Sequence, residues 1–336
     1  MNKANIAGYA GTSWRDWLFA YAPYIGIGII LLIIPAFIST YFQSLLTKVL
    51  IFAIFAMSLD LILGYTGLLS LGHAAYLGVA GYTAGLLIAR LGLTSFWIVA
   101  PAAIVMAGIA AAIIGYISLR VSGVYFLLVT LAFGQLLSVV AVKWRAVTGG
   151  TDGLVGIIYP DFGIPGLTLT DTNYYYLVFI AFAVCFFLLY RLINSPFGKA
   201  LVGIRENESR MKCLGYNTWA HKYIAFIVSG LFAGVAGVLF APFYGIMVPG
   251  HLGLMTSSSV MLMVVIGGAG TLFGPVIGAI VVLLLEHFAS IYTPERWPLI
   301  LGVVFVICVL FIRGGFGFHL SKFWSRLRIR YGNAES

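Results

Sequence analysis

Apolar residues in this chain come in long runs separated by short polar stretches. The runs fall at about 21–40, 45–64, 66–90, 95–119, 123–142, 174–193, 222–247, 254–269, 274–292 and 297–313, most of them nearly free of charge. A helix of about 20 residues crosses the roughly 30 Å of bilayer hydrocarbon. The pattern therefore predicts an all-α polytopic membrane protein of about ten transmembrane helices. Eight to ten are accommodated, depending on whether one or two glycine-rich stretches cross the bilayer or re-enter it. The expected organisation is a segment 1–20, a single transmembrane domain 21–318 and a basic tail 319–336, with polar loops at 143–173 and 194–221.

The first glycine-rich stretch, "GYTGLLSLGHAAYLGVAGYTAG" (Gly64–Gly85), divides in two. Ala74, Gly78, Gly81 and Gly85 recur at spacings of four, three and four, a small-residue stripe that admits a second helix at close range. Gly64, Gly67 and Gly72 share no helical face and stand among Thr66 and Ser70. That suits an interrupted helix whose freed backbone groups need local partners. A break over 64–72 followed by a packing helix over 73–90 is the expectation. "VVIGGAGTLFGPVIGA" (Val264–Ala279), with Gly267, Gly268 and Gly270, is a candidate counterpart in the second half. Paired interrupted segments are expected where broken helices surround a pathway, although membrane helices also use glycine for packing alone.

Composition agrees with the pattern: 62% of the 336 residues are hydrophobic, 9% are charged, and the mean hydropathy is +1.06. So few charges could not cover a soluble protein of this size. The first run shows no small-residue cleavage pattern and reads as a retained span. Cys185, Cys213 and Cys308 are scattered, which suggests neither a disulfide framework nor a metal site. The net charge of +9 reflects basic loops rather than a nucleic-acid partner. Arg191, Lys199, Arg205, Arg210, Lys212 and Lys222 outnumber Glu206 and Glu208 around 191–222, and Lys322, Arg326, Arg328 and Arg330 outnumber Glu335 in the tail. By the positive-inside rule both segments are cytoplasmic. Ten spans then put both termini inside and the 143–173 loop outside, with Arg90 awkwardly on the outer side.

Candidate chemistry is sparse. No GxxxxGK[ST] occurs, so the chain has no phosphate cradle for ATP, and no HExxH occurs. Ser70 and His73 stand three apart, which on one helix face would allow a serine–histidine hydrolase, but no GxSxG elbow accompanies them. Ionisable residues inside apolar runs cost a few kcal/mol to insert and so need a reason. Lys48, Glu286 and His287 stand near run ends and are expected to snorkel to the interface. Asp60 precedes Gly64 by four; it is either a buried acceptor that orients the broken backbone or an interfacial carboxylate. His73 is either a cavity-lining group or a structural hydrogen-bond donor. No relay of acids and histidines crosses the membrane, which disfavours an ion-coupled transporter.

Within the 194–221 loop, "GKALVGIRENESRMKCLG" has helical periodicity, with Leu201, Ile204, Met211 and Leu214 as its apolar members and Gly215 as its stop. It is expected as a short amphipathic helix lying on membrane lipid or docked in a groove of a soluble partner. Its interspersed acids favour the partner. The outer loop "KWRAVTGGTDGLVGI", with Thr148, Gly149, Gly150 and Asp152, suits either a partner contact or a solvated connection.

Six blocks, in order, resemble the membrane permeases of branched-chain amino acid ABC importers, the LivM type. They are "MSLDLILGYTGLLSLGHAAYLGVAGYTAG", "GVYFLLVTLAFGQLL", "TGGTDGL", "SPFGKALVGIRENE", "LGY…YIAFIVSGLFAGVAGVLFAPFYG" and "IGGAGTLFGPVIGA". The resemblance implies a bacterial inner-membrane importer. In it a second homologous permease, two cytoplasmic ATPases using ATP and Mg²⁺, and a periplasmic substrate-binding protein complete the assembly. The chain itself would then be no enzyme and bind no cofactor. The 194–221 segment would be the coupling helix, with Arg205, Glu206, Glu208, Arg210 and Gly215 facing an ATPase. "ESRMKCLG" keeps the glutamate and glycine of the family's Glu-Ala-Ala…Gly pattern and lacks its alanines. The substrate pathway would involve Asp60, Gly64, Gly67, Ser70, Gly72, His73, Gly267, Gly268 and Gly270. Substrates in similar permeases extend to urea, short amides and aromatic carboxylates. A secondary transporter and an intramembrane hydrolase are the readings from other classes.

Overall fold

The computed structural model describes residues 31–162 and 170–292, together with the helical positions Leu299, Gly302, Val303 and Val306. The segment 1–20, most of the spans expected at 21–40 and 297–313, Cys308 and the tail 319–336 lie outside the described residues. The principal helices are α1 (Thr40–Asp60), α2 (Ala74–Ala89), α3 (Phe96–Ser118), α4 (Val124–Lys143), α5 (Asp171–Asn194), α6 (Pro196–Glu206), α7 (Glu208–Cys213), α8 (Thr218–Tyr244), α9 (Leu254–Gly267) and α10 (Gly274–Tyr292). A wider π turn, Leu61–Tyr65, prolongs α1.

Six helices among the described residues are long and apolar enough to cross a membrane: α1 with its π turn, α3, α4, α5, α8 and α10. The count of ten is thus not shown. The run expected at 66–90 is not one spanning helix: residues 66–73 are irregular and only Ala74–Ala89 is helical. Sixteen residues rise about 24 Å and the fourteen of α9 about 21 Å, short of the hydrocarbon thickness. α2 begins inside the bundle, where its residue Ala74 donates its N–H to the buried Ser257 Oγ of α9 at 3.1 Å.

α1 is the central helix, with 83% of its most apolar window buried against 17% for α5. α8 packs along α1, α2 and α3. Its approach depends on glycine: a Cβ on Gly237 would stand 2.2 Å from Leu77 O, and one on Gly230 would stand 2.2 Å from Ala111 Cβ. The stripe expected on α2 works differently. Gly78 faces Leu252, Gly81 faces Met247 and also the Gly237 carbonyl of α8, and Gly85 faces Ile157 and Leu154, so the stripe takes in loop side chains as well as a helix.

Those loops form one end of the molecule. The turn Arg145–Thr148 is followed by the strand β1 (Leu154–Val155), which pairs antiparallel with β2 (Ile246–Met247), a small sheet that the apolar pattern does not announce. Arg90, out of place by charge, hydrogen-bonds the Ala146 carbonyl here. At the same end Lys48 Nζ meets Glu286 Oε1 at 3.2 Å and Tyr41 Oη meets His287 at 2.8 Å. These groups pair across α1 and α10 instead of snorkelling separately, because pairing offsets the desolvation of each.

Candidate functional site

The opposite end gathers two glycine-rich segments and the loop helices. Asp60 is 1% exposed and accepts the Gly270 N–H on Oδ1 at 2.7 Å. It is a buried acceptor, not an interfacial carboxylate. The backbone it holds is the turn between α9 and α10, 210 residues away, rather than the stretch that follows it. Gly64 sits between the two: a Cβ there would stand 2.1 Å from both Asp60 Oδ1 and Gly270 N.

Arg205 closes the arrangement. The Arg205 guanidinium of α6 donates through Nη1 to the Gly64 carbonyl. Its stem passes Gly67, where a Cβ would stand 2.8 Å from Arg205 Cγ, and its Nη1 lies beside Gly270. Gly67 and Gly270 hold φ of +77° and +82°, values that side chains disfavour. Gly268 has φ +107°, and a Cβ on Gly267 would meet the Gly274 carbonyl at 1.9 Å. One arginine thus touches both glycine-rich segments, and a residue expected in the coupling set stands among those expected at the breaks.

The irregular stretch 66–73 then turns back into the bundle. Gly72 lies on α4, where its Cβ would stand 2.0 Å from the Thr130 carbonyl, and the Leu71 N–H faces Thr130 Oγ1 at 3.4 Å. Ser70 is buried in this stretch, and its hydroxyl has no hydrogen-bond partner among the described residues. It shares no helix with His73. The His73 ring instead meets Ser58 Oγ through Nε2 at 2.8 Å and stacks on Phe55, while Ser58 donates to the Phe55 carbonyl. With that donation fixed, Ser58 accepts from a protonated Nε2. Ser70 and His73 therefore form no dyad. His73 is completely buried and joins α1 to the start of α2.

The loop expected as one helix is two. Asn207 is extended (φ −157°, ψ 97°), ends α6 and caps α7 by accepting the Arg210 N–H at 2.9 Å. α6 starts as its sequence suggests, with Ser195 as cap and Pro196 in the first turn. Leu201 and Ile204 bury its inner face, and Gly215 (φ +86°) ends α7. Met211 of α7 lies against Gly203 of α6, whereas Leu214, just past α7, is 65% exposed, so the apolar stripe stops there. Glu208 faces inward to Lys222 at 2.5 Å, Lys212 at 3.0 Å and Thr218 at 3.0 Å. Partial burial would raise its pKa, but the hydrogen bonds of Lys222 and Lys212 prevail and hold it at about 2. Glu206 and Arg210 remain exposed.

In the other loop, Thr148 Oγ1 donates to the Ala141 carbonyl at 2.6 Å. Gly149 and Gly150 take positive φ, and Gly149 has no room for a Cβ because the Gly153 carbonyl would stand 2.0 Å from it. These residues fold the loop, and Asp152 is exposed. No cluster of three His, Cys, Asp or Glu side chains is assembled among the described residues.

A family model described as "Branched-chain amino acid transport system / permease component" matches residues 41–310. The high-affinity branched-chain amino acid transport system permease protein LivM of Escherichia coli K12 is 30% identical over 298 residues, covering 82% of this chain and 70% of the relative. LivM of Salmonella typhimurium is 28% identical, covering 90% and 75%. LivH of Salmonella typhimurium, also a permease protein of that system, is 24% identical and covers 78% and 89%. No solved structure matches the chain.

Proposed function

The chain belongs to the family of branched-chain amino acid transport system permease components, and from that membership we propose that it imports amino acids, branched-chain ones first, across the bacterial inner membrane. It acts as the membrane subunit of an ATP-driven assembly. The carrying observation is the family match over 41–310, which takes in both glycine-rich segments and α6–α7. Similarity to both LivM and LivH supports pairing with a second homologous permease. Two cytoplasmic ATPases supply ATP and Mg²⁺ chemistry, and a periplasmic binding protein delivers substrate.

In this reading α6 and α7 lie on the cytoplasmic side. The exposed Glu206, Arg210 and Leu214 offer an ATPase an apolar anchor with a charged rim. Arg205 carries motion inward. A displacement of α6 must drag or break the Arg205–Gly64 contact, and Asp60–Gly270 links that point to the α9–α10 turn. Both breaks therefore feel the same movement, as a two-state gate requires. Groups held this way stay put until the loop helix moves, which ties opening to ATP rather than to an ion gradient.

The test is uptake by proteoliposomes holding both permeases, the ATPases and the binding protein. Leucine, isoleucine and valine are expected to accumulate only with ATP and Mg²⁺ inside the ATPase compartment. Uptake driven by an ion gradient without the ATPases would overturn the reading. Competition by urea, short amides or aromatic carboxylates would reassign the substrate within it.

A further inference from the structure

α4 presents a face that lipid does not suit. Tyr125, Leu128, Ala132, Gln135 and Val139 recur at spacings of three, four, three and four, so they share one side of the helix, and all five are exposed. The other side is spent on the bundle: Phe126, Thr130, Gly134 and Ala141 are buried, and Gly134 and Thr130 abut Gly72. Outward faces elsewhere show what hydrocarbon accepts. α3 turns out Val105, Ile109 and Ile113, and α5 turns out Ile180, Val184 and Phe187. Among the described spans, only α4 sets a carboxamide near the middle of such a face, twelve residues into a twenty-residue helix. Gln135 makes no hydrogen bond among the described residues. Its two donors and its acceptor would go unsatisfied in lipid, where no water reaches them. Three residues further on, Ser138 Oγ donates to the Pro249 carbonyl at 3.1 Å, so the helix is anchored to the turn that opens α9.

We propose that this face of α4 lines the aqueous translocation pathway and that the Gln135 carboxamide hydrogen-bonds the passing amino acid. The proposal rests on the transport reading above. A carboxamide both donates and accepts without carrying charge, so it can serve the carboxylate and the ammonium of a zwitterion in turn. A neutral partner holds neither group firmly enough to trap it, as passage requires. Leu128, Ala132 and Val139 on the same face give an aliphatic side chain apolar surface to slide on. Because α4 rests on Gly72, a shift of the 66–73 break also moves this wall.

The test is cysteine accessibility in the complete transporter, reconstituted with Cys185, Cys213 and Cys308 replaced by serine. Gln135→Cys, Ala132→Cys and Val139→Cys are compared with Ile109→Cys on α3 and Ile180→Cys on α5. A charged, membrane-impermeant thiosulfonate should modify the α4 positions at least about tenfold faster than the comparators, since only a watered face admits it. Saturating leucine with its binding protein should slow that modification. Should Gln135→Cys fail to assemble, Ala132→Cys and Val139→Cys decide the matter alone. Equal, slow modification of α4 and comparators refutes the proposal, whether lipid or a dry contact covers the face. Uptake by the complex holding the cysteine-free chain is measured in the same vesicles. No ATP-driven uptake sinks the transport reading itself, whereas uptake with unreactive α4 cysteines sinks this inference only. Gln135→Leu should also raise the KM for uptake more than Gln135→Asn does.

Discussion

Gly64→Ala probes the junction of the two glycine-rich segments with a single methyl group. That carbon would stand 2.1 Å from Asp60 Oδ1, 2.1 Å from Gly270 N and 2.7 Å from Gly270 Cα. Non-bonded heavy atoms do not settle at such distances, so the two sides must separate by about 1 Å. The Asp60–Gly270 hydrogen bond spans that gap at 2.7 Å, and an added 1 Å takes it out of range. Leaving a buried acceptor and donor unpaired costs about 1–3 kcal/mol, and overpacking costs a similar amount. Taking about 3 kcal/mol in all, the closed arrangement loses about 150-fold in population. Thermal denaturation in detergent and leucine uptake in vesicles read the two consequences. Gly250→Ala is the control, since nothing lies within 4 Å of its Cβ position. The Gly64 variant should melt lower and lose coupled uptake while the control keeps both. A Gly64→Ala protein as stable and active as the control would refute the claim that this contact holds the segments together.

Two further outcomes test other parts of the fold. Gly237→Val should abolish a monodisperse preparation, because its first carbon already falls 2.2 Å from Leu77 O and α8 would have to leave α2; a normal size-exclusion profile would contradict that packing. Glu208 is held at about 2 against an ordinary 4.5, so its clamp is complete above about pH 4.5 and is lost as the pH falls through about 2. Pepsin should therefore cut near Asn207–Asn217 increasingly over that window relative to Glu208→Gln, whose clamp is weakened throughout. A constant ratio would mean that Lys222 and Lys212 do not hold the carboxylate.

The long helices were legible because the bilayer sets their length, and α3, α4 and α10 fall within a residue or two of their apolar runs. The first break was legible because Gly64, Gly67 and Gly72 share no helical face. What stayed hidden depends on long-range pairing. Nothing near Asp60 points to Gly270, and nothing near Arg205 points to Gly64, because each contact is made by folding rather than by spacing. The same holds for Leu154 against Met247 and for Ser257 at the start of α2. The division of the loop at Asn207 did leave a local signal. Asparagine followed by glutamate is a helix start, and the apolar periodicity across it hid that cap.

That division also changes which loop residues can report on coupling. Arg205 reaches the two breaks and Glu208 holds α7 to the first turn of α8, so substituting either disturbs the permease itself. A loss of ATPase stimulation in such variants would not locate the contact with the ATPase. Glu206, Arg210 and Leu214 are exposed and hold neither break nor clamp, so they are free to make that contact. Exposed positions without buried partners usually change stability by no more than about 0.5 kcal/mol. Leu214→Asp combined with Arg210→Glu should therefore leave the melting of the isolated permease unchanged. It should still lower ATPase co-purification and substrate-stimulated ATP hydrolysis, because an aliphatic anchor becomes a carboxylate. Glu208→Gln should show the reverse order, with weaker melting first and uncoupling only as its consequence. If the surface pair destabilises the isolated chain, or if it leaves ATPase binding intact, the outward face of α7 is not the docking surface.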